Sequence, residues 1–282
     1  MSRSNRAHIA KETIEIVDRG WYDVAGAGRV DLRAKVDACL DATVLIRPSD
    51  FERPSLRDVP NLYPTGFDVR NETTLSAARR LVVGSELERV MVLNFASAKN
   101  PGGGFLGGSQ AQEESLARSS ALYASLQTQL EYYEMNRTCR TALYTDHMIL
   151  SPEVPVFRDD DGQLLAEPYV VGMLTAPAVN AGAVEDNEPA NVANILPTMA
   201  SRIAKVLAVA VRYGYAHLVL GAWGCGVFRN DPDAIAGLFA QALLGEGEFA
   251  GTFESVTFAV FDGTPGESII TPYRKRFSEG AL

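Results

Sequence analysis

The sequence predicts an α/β layered fold with a mostly parallel sheet, and two observations carry that prediction. Short apolar runs of strand type alternate with amphipathic helical patterns along most of the chain. Two of the strands, Val90 to Ala96 and Leu218 to Ala222, also run into glycine-rich turns that open helices. Turns of that kind lie at the carboxyl ends of parallel strands, so the two can meet over one crevice.

Taken in order, residues 5 to 19 place Ile9, Thr13, Ile16 and Val17 on one helical face, with Asn5 as N-cap and Gly20 as the stop. Trp21 and Tyr22 begin a short irregular piece. Asp31 to Ala42 reads as a helix, and Thr43 to Pro48 as a brief β run closed by proline. Asp50 to Thr65 holds three prolines and reads as loop. Residues 1–65 thus form an N-terminal, mainly helical extension, and residues 66–282 the core.

The core opens with a strand in Gly66 to Thr74, and Thr73 or Thr74 caps the helix that follows. One long helix is expected from Ala111 to about Tyr133, with Leu116, Ser120, Tyr123, Leu126 and Leu130 on its inner face. Residues 147–157 read as a strand broken by two prolines, joined by a polar hairpin to the strand Pro168 to Pro177. Its end and the residues after it, Ala176 to Asn191, read as a long polar loop beside the cleft. An amphipathic helix follows through Ile195, Met199, Ile203, Val206, Leu207 and Ala210, ended by Gly214. Asp231 and Pro232 begin another helix, Glu254 to Asp262 is the last strand, and Tyr273 to Phe277 lie in a basic tail.

Composition narrows the function classes. With 46% hydrophobic and 22% charged residues the chain reads as a soluble globular protein, not a disordered or fibrous one. A net charge of −9 argues against a broad basic face for nucleic acid or an acidic membrane, so an anionic ligand has to be held locally. No run reaches the roughly 18 apolar residues of a membrane span, and the N-terminus lacks the apolar core of a signal peptide. Cys39, Cys139 and Cys225 are odd in number and lack CxxC spacing, which points to neither disulfides nor zinc. The chain is expected to be cytoplasmic and monomeric, with no metal site and no cofactor.

The chemistry is concentrated in Asn94 to Tyr123. Gly102, Gly103 and Gly104 break the strand and leave backbone amides free, and Gln112, Glu113 and Glu114 open the next helix. A tight turn is the plainer reading of such glycines, and acids favour the first turn of a helix in any case. The second loop, Gly221 to Pro232, makes a shared anion-binding crevice the better reading. It runs Gly-x-x-Gly-x-Gly, which is not the dinucleotide fingerprint, and the first loop lacks the Lys-Ser/Thr of a nucleoside triphosphatase. A diphosphate held by backbone amides fits both loops.

Glu113 and Glu114 stand about 100° apart around the helix axis and so take different roles. The helix N-terminus lowers a carboxyl pKa whereas a general acid needs it raised, so burial or a bound diphosphate must supply the rise. Phe228 reads as a packing residue or as a ring pressing a sugar toward the acid. Cys225 lies between glycines, and a free cysteine is most often a small buried residue. His8, His147 and His217 have no ligand spacing.

These motifs resemble the microbial-type poly(ADP-ribose) glycohydrolases of the macrodomain superfamily. Gly102 to Gly104 followed by Gln112 to Glu114 looks like that family's signature, and Asn94 in the preceding strand and the loop GAWGCGVFRNDP are similar as well. The likeness spans about Gly66 to Asp262. It implies a three-layer α/β/α macrodomain with a mixed, mostly parallel sheet, cleaving the ribose–ribose bond of poly(ADP-ribose) to release ADP-ribose without a metal. By motif position, Glu114 is implied as catalytic acid and Glu113 as a ribose-orienting partner. Gly103 and Gly104 would pass close to the distal ribose and phosphate. Gly224, Gly226 and Val227, with Cys225 between them, would form the diphosphate loop, and Phe228 would orient the terminal ribose. Glu72 sits where macrodomains contact adenine. The eukaryotic type has a tyrosine-bearing segment without a counterpart here, which favours exo cleavage. ADP-ribosylated proteins are the implied partners. Two other readings share the cleft: an ADP-ribose-binding macrodomain without hydrolysis, and a mono-ADP-ribosyl hydrolase.

Overall fold

The chain runs α1 (Arg3–Arg19), β1 (Trp21–Val24), β2 (Gly28–Asp31), α2 (Arg33–Ala42) and β3 (Val44–Ile46), then β4 (Gly66–Arg70), α3 (Thr74–Arg79) and β5 (Val90–Phe95). Three short helices follow, α4 (Gln112–Ser119), α5 (Leu122–Gln127) and α6 (Leu130–Thr138), then the strands β6 (Met148–Arg158) and β7 (Leu164–Ala176). The chain closes with α7 (Ala181–Asn187), α8 (Ile195–Arg212), β8 (His217–Leu220), α9 (Pro232–Leu243), β9 (Ser255–Ala259) and α10 (Thr271–Phe277). The structure is a computed structural model, and it describes residues 1–51 and 64–278. The loop expected over Asp50 to Thr65 falls largely outside the described residues.

Seven strands form one mixed sheet in the order β3-β6-β7-β5-β8-β9-β4. From β7 to β4 every neighbouring pair is parallel, while β6 runs antiparallel to both β3 and β7. The expected α/β class with a mostly parallel sheet is what the structure has. β5 and β8 lie side by side at its centre with Val92 opposite Val219, so the two glycine-rich loops leave neighbouring strands at the same edge. On one face of the sheet α8 buries Met199, Ile203, Val206 and Leu207 against Met91, Leu93, Leu174 and Leu218. Each such side chain contributes about 1.5–3 kcal/mol on leaving water. The segment Pro189–Arg212 is long and apolar enough by composition to cross a membrane, contrary to the reading of the bare sequence. In this fold its apolar face is spent on the sheet.

Several local expectations change. Ser2, not Asn5, caps α1, its Oγ accepting from the Asn5 amide at 3.2 Å, while Gly20 ends the helix at φ 77°. Trp21 and Tyr22 belong to a β1–β2 hairpin, since the turn at Ala25 to Ala27 lets Trp21 pair with Asp31. The single helix expected after Ala111 is three helices. Ser120 is extended and bridges Val156 at the bulge of β6, and the Ala121 amide donates to Pro155 O at 3.1 Å, so pairing with the sheet interrupts the helix. The polar stretch before Asn194 contains α7, capped by Asn180 on the Ala183 amide, and a short 3-10 turn. The basic tail is helical as α10, with Tyr273 and Phe277 buried.

Candidate active site

The site lies along the carboxyl-end edge of the parallel strands. β5 ends in Asn94 and Phe95, and beyond Val92 it no longer pairs with β8. The Gln112 side chain takes over there, accepting from the Phe95 amide at 2.8 Å and donating to Leu93 O at 2.7 Å. One amide side chain thus completes the strand's hydrogen bonding and pins the start of α4 to it. Gln112 positions the two carboxylates that follow.

Those carboxylates face different surroundings. Glu113 is 3% exposed, its Oε2 accepting from the Ser97 amide at 2.7 Å and its Oε1 lying 3.4 Å from Asn94 Nδ2. Asn94 is itself fully buried and anchored to Thr175 Oγ1 at 3.1 Å. Burial is the chief reason that the Glu113 carboxyl is raised from 4.5 to about 8, with the nearby Glu114 charge adding to the rise and the Ser97 amide opposing it. Glu114 is half-buried and reaches the glycine turn, where its Oε1 accepts from the Gly104 amide at 3.0 Å.

The glycines of the first turn are there because nothing larger fits. Gly102 and Gly103 hold φ of 65° and 60°, and a Cβ on Gly103 would stand 2.5 Å from Glu114 Oε1 and 3.1 Å from Glu113 Oε2. The amides of this turn are not free, which corrects the sequence reading: Gly103 N donates to Asn100 O and Gly104 N to Glu114. The turn holds the Glu114 carboxylate. Behind it, α1 of the extension is docked through Arg3 to Gly107 O, Arg6 to Gly108 O and Thr13 to Arg118 O at 2.9, 2.8 and 2.6 Å.

The second loop has the free donors. Asn230 braces it from within, donating from Nδ2 to Val179 O at 2.7 Å and to Gly224 O at 3.1 Å. Gly224 has φ 75°, and a Cβ there would lie 2.6 Å from both Ala178 Cβ and Asn230 Nδ2. Cys225 N, Arg229 N and Asn230 N are bonded within the loop, whereas the amides of Gly224, Gly226, Val227 and Phe228 have no acceptor among the described residues. Unpaired amides on an exposed loop are able to donate to an anion. Cys225 is partly buried against the core, and burial pushes its thiol up to about 12.

The two loops enclose a cleft of about 350 Å³ lined by Ser97, Glu113, Glu114, Gly224, Gly226 and Phe228. It continues past Gln112, Ala222 and Gly226 into a second space of about 430 Å³ that includes Cys225, Glu72, Thr73, Phe261 and Ile269. The structure thus brings Glu113, Glu114, Gln112, Gly224, Gly226, Val227 and Phe228 around one cleft, and the sequence reading named them all. Asn94 lies beneath, and Gly102 to Gly104 lie behind Glu114. It missed Ser97, Asn230 and Phe261. Ser97 reaches Glu113 through its backbone amide, Asn230 acts through a contact 51 residues away, and Phe261 lies past the last strand with 74% of its surface exposed. The one cue for Phe261 is a large apolar residue left outside the core. Glu72 is paired with Arg80 Nη2 at 2.6 Å at the far end. His8, His147 and His217 do not line either space.

A crevice with unpaired loop amides on one side and a carboxylate pair on the other has the groups that a glycosidase acting on a nucleotide sugar needs, on an α/β fold with a mostly parallel sheet. The family model for the microbial-type PARG catalytic domain matches residues 10–159. The poly(ADP-ribose) glycohydrolase of Thermomonospora curvata superposes with a TM-score of 0.91 at 47% identity, covering 97% of this chain and 100% of that one. Its complex with the inhibitor ADP-HPD gives 0.89 at the same identity and coverage. The Deinococcus radiodurans enzyme in complex with ADP-ribose gives 0.81 at 48% identity, over 88% of this chain and 99% of that one. No curated protein matches the chain significantly. The chain belongs to the microbial-type poly(ADP-ribose) glycohydrolase family.

Proposed function

We propose that the chain hydrolyses the ribose–ribose O-glycosidic bond of poly(ADP-ribose) and releases ADP-ribose from the chain end, with Glu114 as acid and base. The observation that carries the roles is the division between the two carboxylates. Glu113 points inward onto Ser97 and Asn94, while Glu114 is fixed by Gly104 at the open end of the cleft.

The terminal ADP-ribose unit places its diphosphate on the free amides of Gly224, Gly226, Val227 and Phe228 and its adenosine toward Phe261 and Glu72. Its second ribose then lies at Glu113, Glu114 and Phe228. Glu114 gives a proton to the departing 2′ oxygen of the next unit as the bond from C1″ to that oxygen breaks. The oxocarbenium-like centre is stabilised by the neighbouring diphosphate. The Glu114 carboxylate takes a proton from water as the water oxygen bonds C1″, which restores the acid. Glu113, with its carboxyl raised to about 8, is mainly neutral at pH 7 and bonds a ribose hydroxyl without placing a second full charge beside the diphosphate.

Automodified polymerase carrying long chains, set beside protein bearing single ADP-ribose units, is the test. Free ADP-ribose from the polymer, with the protein-linked unit left in place, is the expected product pattern. Release of the protein-linked unit at a comparable rate would replace this reading with a mono-ADP-ribosyl hydrolase, and release of oligomers would replace exo with endo cleavage.

A further inference from the structure

The edge that holds the cleft does not stop at the carboxylates. β6 runs antiparallel to β7 with Ile149 opposite Thr175, so the segment entering β6, residues 139–147, stands at the same edge as the loops after β5 and β8. It forms one wall of a separate cavity of about 350 Å³ lined by Lys99, Arg137, Arg140, Thr141, Tyr144, Asn180 and Glu188. This cavity adjoins the acid end. Tyr144 packs on Phe228 with ring centroids 6.1 Å apart, and Lys99 follows two residues after the Ser97 amide that holds Glu113.

The cavity is cationic in a chain of net charge −9. Arg137 donates through Nε to Lys99 O at 2.8 Å, and none of Lys99, Arg137 and Arg140 pairs with a carboxylate among the described residues. The one acid in the lining, Glu188, is already committed. It accepts from Thr141 Oγ1, the Ala142 amide and Asn191 Nδ2 at 2.6, 2.6 and 2.7 Å, and these bonds hold its carboxyl below the usual range, the Thr141 hydroxyl foremost.

The wall is also built at some conformational cost. Arg140 and Tyr144 hold φ of 56° and 59°, left-handed backbone that costs a non-glycine residue on the order of 1–2 kcal/mol. They are kept there by Glu188 at one side and by Asn136 Oδ1, which accepts from the Thr145 amide at 2.8 Å, at the other. The strained backbone thus carries Arg140, Arg137 comes from the last turn of α6 and Lys99 from the loop after β5, so three separate pieces of chain bring exposed cations to one cavity.

We infer that Lys99, Arg137 and Arg140 form a leaving-unit subsite that holds the diphosphate of the polymer unit whose 2′ oxygen departs. This rests on the proposed hydrolysis of poly(ADP-ribose). The chemistry fits because that oxygen belongs to a ribose carrying its own diphosphate a few bonds away, so on the far side of Glu114 the polymer must present a second doubly charged group. The Gly224 to Phe228 loop takes the phosphates of the unit released, and the basic cavity takes those of the unit left behind. Arg presents a planar fork of donors to a phosphate, which makes two arginines and one lysine an apt set for it.

The test compares two substrates on the wild type and on the triple variant Lys99→Gln, Arg137→Gln, Arg140→Asn; asparagine tolerates the left-handed backbone at 140. One substrate is poly(ADP-ribose), and the other is ADP-ribose joined at C1″ to a neutral phenol, which has no second diphosphate. The ratio of kcat/KM for polymer to that for the phenol glycoside should fall about tenfold or more in the variant, mainly through KM. The slope of log kcat/KM against log salt for the polymer should also lessen, by about 0.7 for each phosphate charge that the variant no longer neutralises. An unchanged ratio, or an equal loss on both substrates, overturns the subsite. A wild type that cleaves the phenol glycoside but leaves polymer intact overturns the polymer reading of the function, and the subsite with it.

Discussion

Glu114 Oε1 and the Gly104 amide lie 3.0 Å apart, a backbone hydrogen bond that fixes a half-buried carboxylate against a turn whose glycines have no room for a side chain. The turn is therefore a mould for the acid. Gly103→Ala tests this, since a methyl group there would stand 2.5 Å from Glu114 Oε1 on backbone of φ 60°. The expected result is a fall in kcat of about 100-fold, of the size that a misplacement near 1 Å produces. The affinity for ADP-ribose, carried by the other loop, should change by much less. Turnover assays and calorimetric titration with ADP-ribose check the two halves.

The second loop should show the opposite pattern. Gly224→Ala sets a Cβ 2.6 Å from Ala178 Cβ and from Asn230 Nδ2 at φ 75°, so the loop carrying the free amides has to shift. ADP-ribose should bind about tenfold more weakly or worse, each lost charge-assisted bond being worth about 1.5–3 kcal/mol. Gly226, with no atom within 4 Å of a built Cβ, provides the contrast. Gly226→Ala should leave the melting temperature unchanged.

Glu113 makes stability depend on pH in a stated direction. Its carboxyl is raised from 4.5 unfolded to about 8 folded, chiefly by burial. Between those values the folded chain keeps a proton that the unfolded chain has released, so this contribution is fully present below 4.5 and is lost as pH rises to about 8. Glu113→Gln removes the titrating group. The variant's melting temperature relative to the wild type should therefore climb from about pH 5 to about pH 9, by an amount on the order of a few kcal/mol in free energy. A difference that stays flat over that range would mean that Glu113 is not held neutral in the fold.

The residues that are close in sequence were the legible ones. Gly102 to Gly104 and Gln112 to Glu114 are ten residues apart and one strand–turn–helix unit, so spacing alone brings glycine and acid together. The alternation of strands and helices likewise conveys the sheet. What the spacing hid depends on distant partners. Ser120 has helical neighbours, and only its bridge to Val156 shows why the helix stops there. Gln112 reads as part of the motif that opens the helix, but not as the side chain whose amide completes the edge of β5. The amides of the first glycine turn read as free for phosphate until Asn100 and Glu114 are seen to take them. Local periodicity carries no information about such partners.

The central claim is that Glu114 supplies the proton and the rest of the cleft supplies the binding. Glu114→Gln keeps the shape and removes the acid, so it is the most direct measurement. Release of ADP-ribose from automodified polymerase should fall by about 1,000-fold, within the range for loss of a general acid, while the dissociation constant for ADP-ribose stays within about threefold of the wild type. Release within about tenfold of the wild-type rate would contradict the claim and move the acid to another group in the cleft.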